Sequence, residues 1–288
     1  MATLKQIRQR IKTAKNIRQI TRAMKLVAAA RLRRATDRVL EARPYSEKLR
    51  EIIVEMGSAG ELPAHPLMEK RPDVKRICLI VVTSERGLAG GYNTNLLRKA
   101  HDFVKEQSAE VVIISVGKKA TGFFNKQGKR IVLSLPMDAA SANLDDANQV
   151  ANTARELFES GEVDAIYVCY SKFYSAMRQV PQVVQLLPIE PPQQEGGSHG
   201  PNLDFQFEPD PSTLLNTLLP RYFFTLIWQA LLEASASEHG ARMTAMTSAT
   251  DNAGKMIETL TLKANRERQA GITSQIMEIV GGAEALKG

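Results

Sequence analysis

The sequence is poor in the features that announce an enzyme or a secreted protein. Only two cysteines occur in 288 residues, Cys78 and Cys169. They lie too far apart for a C-x-x-C type of metal or redox motif. Each sits inside an apolar run (Ile77-Cys78-Leu79-Ile80 and Tyr167-Val168-Cys169-Tyr170), where a free cysteine behaves as a small buried hydrophobe, and a reducing compartment fits. The longest apolar runs, such as Ile77–Val82 and Val111–Val116, fall far short of the ~20 residues that span a bilayer. The N-terminus lacks a signal-peptide stretch, its charges continuing past the first turn, so the chain is expected to stay in the compartment where it is made. The four histidines, His65, His101, His199 and His239, have no H-x-x-x-H spacing. No Ser/His/Asp or Cys/His arrangement can be nominated, so neither a catalytic residue nor a metal or cofactor is expected.

Proline and glycine are absent from Leu4 to Arg43, and aromatic residues from residues 1–44. What remains there is periodic. Leu4, Ile7, Ile11, Ala14, Ile17, Ile20, Met24, Ala28, Leu32, Ala35 and Val39 recur about every 3.5 residues, the spacing of a left-handed coiled-coil seam. Forty such residues make a rod of roughly 60 Å, too long to bury in a small globule. Pro44 is a candidate kink, and the pattern resumes weakly to Met56, before Gly57, Gly60, Pro63 and Pro66. The net charge of +7 is lopsided. Residues 1–50 carry fifteen Lys/Arg against three acids, a net of +12, whereas the rest carries −5. This end is built to meet something negative. Without aromatics to stack on bases, nucleic acid is disfavoured, and without bulky aromatic anchors so is a membrane surface. An acidic protein partner is the better reading.

The middle of the chain changes character. Arg76–Thr83 and Ala109–Val116 read as buried strands and Arg130–Leu135 as a third strand, with helices at Asn93–Gln107, Lys118–Gln127 and Leu144–Ser160. Asp145 and Asp146 complement the positive N-terminal end of the third of these helices. Asp164–Tyr170 and Gln179–Leu187 complete the set, the last pair forming an antiparallel edge. This alternation predicts an α/β domain with a mainly parallel sheet. Residues 188–211 are rich in proline and glycine and read as a linker. From Ser212 the chain turns helical, with bulky residues at Tyr222, Phe223, Leu226, Ile227 and Leu231. A stretch of small residues follows, from Ala234 to Gly254. Met243, Met246, Met256, Ile257, Leu260, Ile272, Ile276, Ile279 and Val280 supply a second seam, and Gly281-Gly282 a stop. Neither terminal helix can bury its seam alone. The predicted architecture is therefore an antiparallel coiled coil of N-terminal (1–57) and C-terminal (212–286) helices, with a Rossmann-like α/β domain (73–190) inserted.

One segment invites an enzymatic reading. Thr83-Ser84-Glu85-Arg86-Gly87-Leu88-Ala89-Gly90-Gly91-Tyr92-Asn93 follows a strand and precedes a helix, where phosphate loops occur. It fits neither G-x-G-x-x-G nor G-x-x-x-x-G-K-[ST], and Glu85 would oppose a phosphate. A tight turn packed against the helical shaft is preferred. A nucleotide-using α/β enzyme and a basic helical nucleic-acid-binding protein are the alternatives; saturable nucleotide binding would mark the first and steeply salt-dependent DNA binding the second.

Three segments resemble the gamma-subunit family of F-type ATP synthases. They are Ile7-Arg8-Gln9-Arg10-Ile11 with Asn16–Ala28; Ser84-Glu85-Arg86-Gly87-Leu88-Ala89-Gly90; and Ala241–Ala253 with Asn265–Ala283. Their order runs end to end. The resemblance implies a non-catalytic central stalk turning inside a ring of three alpha and three beta subunits. Epsilon and the c ring would sit at the α/β domain, and proton flow would be coupled to ATP synthesis or hydrolysis. It implies a peripheral position on the cytoplasmic face of a bacterial plasma membrane, one copy per complex. Carried over by motif, Met24 and Lys25 would face the acidic lever of a beta subunit. Arg242, Arg268, Gln269 and Thr273 would make further polar contacts with the ring. The family's I-T-x-E element ends in Gln275 here, which removes that carboxylate. The chain also lacks the inserted cysteine pair of chloroplast forms, so thiol control is not expected.

Overall fold

The computed structural model describes residues 3–58, 63–137, 143–190 and 210–285. Two long helices, α1 (Leu4–Ser58) and α5 (Pro211–Ala285), flank five strands and three helices in the order β1 (Arg76–Val82), α2 (Tyr92–Glu106), β2 (Glu110–Val116), α3 (Lys118–Lys126), β3 (Ile131–Leu135), α4 (Leu144–Glu159), β4 (Ala165–Ser175) and β5 (Arg178–Leu187). Two compact units result: residues 28–242, and residues 1–27 with 243–288.

In the larger unit the strands form one sheet ordered β3-β2-β1-β4-β5. β1 pairs in parallel with β2 and β4, β2 in parallel with β3, and only β5 runs antiparallel, against β4. The mainly parallel sheet with an antiparallel edge is thus as the alternating pattern required. β1 reads as continuous apolar sequence because both its faces are covered. Ile77, Leu79 and Val81 pack with Leu96 and Ala100 of α2 and with Ala120 and Phe124 of α3. Cys78, Ile80 and Val82 face the other way, toward Val150, Ala154 and Phe158 of α4. On that second face the same core takes in Leu49, Ile53 and Met56 of α1 and Leu215, Leu219 and Tyr222 of α5. Further along, Ala35 and Val39 of α1 cluster with Leu232 and Ala236 of α5. Numbers that fall on α1 rise on α5, so the helices run antiparallel. Both cysteines are buried, and burial pushes each thiol up to about 12.

Pro44 lies inside α1 and does not end it. Pro220 lies inside α5, which Asp210 caps by accepting hydrogen bonds from the Thr213 backbone N–H (3.1 Å) and hydroxyl (2.8 Å). Asn143 caps α4 by accepting from the Asp145 N–H at 3.3 Å, with Asp145 and Asp146 in the first turn. Most of the expected linker, residues 191–209, lies outside the described residues, as does Gly60.

The smaller unit pairs the beginning of α1 with the end of α5. Its α1 segment buries Ile7, Ala14 and Thr21, an interval of seven. Its α5 segment buries Met246, Ala253 and Ala264. The Thr250 hydroxyl donates to the Thr21 hydroxyl at 2.8 Å, and this contact sets the register. In an antiparallel pair it brings Ile7 opposite Ala264. Three expectations need correction here. Ile17 and Ile20 lie outside the seam, Ile20 being 59% exposed, while Thr21 is 8% exposed. A regular heptad counted from Ile7 passes through 21 whatever residue stands there, and the apolar pair falls on the outer flank. Met256, Ile272, Ile276, Ile279 and Val280 are likewise exposed. The predicted stop at Gly281-Gly282 also fails, since α5 continues to Ala285. Neither glycine takes the positive φ that turns a chain out of a helix.

Candidate functional site

In an open α/β sheet, ligands bind outside the carboxyl ends of the strands where the winding reverses. Here that point falls between β1 and β4, and the Ser84–Gly91 loop borders it. The crevice is occupied by α5. The Tyr92 hydroxyl at the start of α2 donates to the Ala234 carbonyl at 3.2 Å, and the Ser237 hydroxyl donates to the Ser171 carbonyl of β4 at 2.8 Å. The Phe173 N–H donates to Glu233 at 3.4 Å. Gly240 lets the β4–β5 hairpin approach: a Cβ there would stand 3.3 Å from the Ala176 Cα.

The loop itself is closed by Arg242. Its Nη2 lies 2.6 Å from Glu238 Oε1 and donates to the Gly87 carbonyl at 3.2 Å. The Glu238 side chain is 3% exposed and that of Arg242 12%. Burial raises the Glu238 carboxyl above its ordinary value, and the Arg242 charge and hydrogen bond offset part of that rise. Such a pair costs desolvation and persists only with its hydrogen bonds complete.

The rest of the loop is equally committed. Ser84 donates through its hydroxyl to the Arg86 carbonyl, at 2.5 Å, and its N–H donates to Asn93 Oδ1 at 3.1 Å. Glu85 accepts from the Lys118 N–H at 3.0 Å and pairs with Lys118 Nζ at 2.9 Å. Burial opposes ionisation of Glu85, but the Lys118 and Met137 hydrogen bonds and the Lys118 charge prevail and hold it below the usual carboxylate range. A carboxylate thus fills the α3 N-terminus, the place where a helix offers its amides to an anion. Gly117, at φ +93°, completes the turn, because a Cβ there would lie 2.3 Å from the Thr83 carbonyl oxygen. The segment that looked like a phosphate loop is packing against α5, and the crevice of a nucleotide-using enzyme is filled by the chain itself.

The residues expected to meet partners fall into two groups. Arg242 belongs to the larger unit and spends its guanidinium on Glu238 and Gly87. Met24 and Lys25, in the smaller unit, are half-buried on α1, while Arg268, Gln269 and Thr273 are exposed on α5. From 268 to 282 every residue of α5 is exposed, including Ile272, Ile276 and Ile279, the last at 72%. The register explains it: α1 begins at Leu4, and no counterpart remains on it for α5 past about 267. Sequence reasoning missed Glu238, Tyr92 and Ser237. The spacing of Glu238 and Arg242, one helical turn apart, was the available signal.

A family model described as ATP synthase matches residues 3–286. The chain is 44% identical over 287 residues to the ATP synthase gamma chain of Pelotomaculum thermopropionicum, covering 100% of both. It is 46% identical over 288 residues to that of Brevibacillus brevis, covering 98% of each. Among solved structures it is similar to a chain of the Euglena gracilis mitochondrial ATP synthase, with a TM-score of 0.69 and 19% identity, covering 98% of this chain and 94% of that one. A chain from the Tetrahymena thermophila ATP synthase central stalk and c ring gives 0.58 and 22%, covering 80% of this chain and 99% of that one. At those identities the structures speak for a common fold alone. The end-to-end identity to the bacterial chains does more, and with it the chain belongs to the ATP synthase gamma-chain family.

Proposed function

We infer that the chain is the non-catalytic central stalk of an F-type ATP synthase, which couples proton flow through the membrane sector to ATP synthesis or hydrolysis. The observation that carries this reading is the bare end of α5. Ile272, Ile276, Met277, Ile279 and Val280 stand exposed on a helix whose partner has run out. Burying a side chain of this kind is worth roughly 1.5–3 kcal/mol, so such a stripe calls for an enclosing partner. A ring of three alpha and three beta subunits supplies one without deep interlocking, which a turning part requires.

In this reading Met24 and Lys25 meet an acidic beta-subunit lever, and the basic face of α1 is matched to that charge. Arg268, Gln269 and Thr273 make exchangeable polar contacts with the ring as it is swept. Arg242 contributes from within, by fixing the Ser84–Gly91 loop to α5, and reaches the ring only where its guanidinium has a donor to spare. The sheet unit meets epsilon and the c ring. No helix among the described residues is long and apolar enough to cross a membrane. Attachment to the membrane sector is peripheral in this reading, on the cytoplasmic face of a bacterial plasma membrane.

The test is to introduce Arg268→Ala and Gln269→Leu into the assembled complex and to measure ATP synthesis, proton pumping and subunit stoichiometry. Lower synthesis, through weaker coupling or assembly, is expected for both. Wild-type synthesis and assembly in both variants would overturn the contact assignment. Failure of the chain to join any alpha–beta ring at one copy per complex would overturn the stalk reading.

A further inference from the structure

The stretch of α5 that fills the crevice is polar where a plug has no need to be. Every residue from 230 to 240 is buried, and Glu233, Ser235, Ser237, Glu238 and His239 are each 3% exposed or less. Buried polar groups cost free energy unless they are hydrogen-bonded, and an apolar helix of the same shape would seal the crevice at least as stably. At about 3.6 residues per turn, the contacts of this stretch fall on three lines roughly 100° apart. Leu232 and Ala236 meet Ala35 and Val39 of α1 in an apolar cluster. Glu233, Ser237 and Gly240 meet the β4–β5 hairpin. There the Phe173 N–H donates to Glu233 at 3.4 Å, the Ser237 hydroxyl donates to the Ser171 carbonyl at 2.8 Å, and Gly240 abuts Ala176. Ala234 and Glu238 face the other flank, where the Tyr92 hydroxyl donates to the Ala234 carbonyl at 3.2 Å and Arg242 links Glu238 to the Gly87 carbonyl. Directional bonds thus join α5 to the sheet, and non-directional packing joins it to α1.

We propose that Tyr92, Ser237 and Glu233 key α5 to the sheet, so that the helix neither turns nor slides within it when torque passes between them. The inference rests on the central-stalk reading, in which the sheet unit and the far end of α5 meet different parts of the motor. The sheet is joined covalently to the long helices only between Ser58 and Arg76 and between Leu187 and Pro211. Single peptide connections transmit little torsion, because each residue carries two soft dihedrals. Torque must therefore cross the packed surfaces. Apolar packing resists separation but has no preferred angle, and the small residues Ala230, Ala234, Ala236 and Gly240 give α5 shallow ridges. A hydrogen bond weakens steeply once its angle falls below ~120°, so bonds on two flanks oppose rotation in either sense. The three are positioning residues, acting through the angle at which they hold α5.

The experiment places Tyr92→Phe, Ser237→Ala and their combination, which remove hydroxyls and little volume, in the full chain and the assembled complex. Slip is read as ATP hydrolysed without proton pumping against an imposed gradient. Each single variant should raise slip about fivefold, the weight of one hydrogen bond, and the pair by more. Glu233→Leu should behave like them, and Glu233→Gln, which keeps the acceptor, like the parent. Ile53→Val, which thins the apolar core between α1 and the sheet, is the stability control and should leave slip unchanged. In the isolated full chain, spin labels at the exposed positions Lys105→Cys and Arg221→Cys should give a wider distance distribution in the double variant than in the parent. Where the double variant fails to assemble, that distribution decides alone. Parental slip in the assembled double variant, an unchanged distribution, or equal slip in Ile53→Val overturns the proposal. A parent chain that joins no alpha–beta ring overturns instead the stalk reading beneath it.

Discussion

Glu238 and Arg242 show how a buried ion pair acts as a one-sided commitment. Together they close the Ser84–Gly91 loop; apart, one leaves a buried charge. Arg242→Ala is expected to cost about 3–5 kcal/mol, the penalty of stranding a buried partner, measurable as a lower urea midpoint. Glu238→Gln should cost less, since the amide keeps an acceptor without the charge. Asp164 is the counterpart at the other end of the sheet. It accepts from the backbone N–H groups of Lys75 (2.8 Å) and Arg76 (2.9 Å) and pairs with Arg71 at 3.0 Å. Burial opposes its ionisation, but these hydrogen bonds and the Arg71 charge prevail and hold its carboxyl below the ordinary range. A carboxyl depressed in the folded state contributes stability above its unfolded value of about 3.9, and that stability is lost as pH falls through the lower folded value. Asp164→Asn should therefore flatten the acid limb of a stability–pH curve below about pH 4 and lower the plateau above it. An unchanged acid limb would show that Asp164 does not carry this linkage.

At the scale of elements, the strands were the legible part. Short apolar runs between helical patterns placed all five, although only β1 and β2 are buried almost throughout, while β3 and much of β5 are half-buried or exposed. The long helices were legible in extent but not in facing. Mean spacing could not tell Ile20 from Thr21, since hydrophobicity and heptad position disagree there and the partner helix decides. The crevice was legible only as a turn. Its closing contact joins Gly87 to Arg242, 155 residues apart, and nothing local announces such a pair. Gly240 marks the tightest approach of α5 to the β4–β5 hairpin. A valine there must displace the Ala176 backbone, which a Cβ already meets at 3.3 Å. Overpacking of this kind costs about 1–3 kcal/mol, and Gly240→Val should lower the thermal midpoint by several degrees. Gly254, where an added Cβ would meet nothing beyond its own helix backbone within 4 Å, is the control and should accept alanine without loss.

For the molecule as a whole, stability and function are expected to part company along α5. Residues up to about 267 are held in the seam, while those from 268 to 282 are exposed throughout. Deleting residues 268–288 should leave the unfolding free energy within about 0.5 kcal/mol of the parent, as for surface changes generally, while impairing coupled ATP synthesis in the assembled complex. A large loss of stability would mean that this end is held by the chain itself.

The filled crevice also bears on how the chain is made. All five strands precede α5 in the sequence, yet part of the core and the plug of the crevice come from α5. During synthesis at ~5–20 residues per second, the sheet leaves the ribosome with one face only partly covered, and it remains so until the final helix follows. A nascent chain arrested near residue 190 is therefore an adhesive intermediate with its apolar face open to chaperones. The last quarter of the message completes the first folded unit.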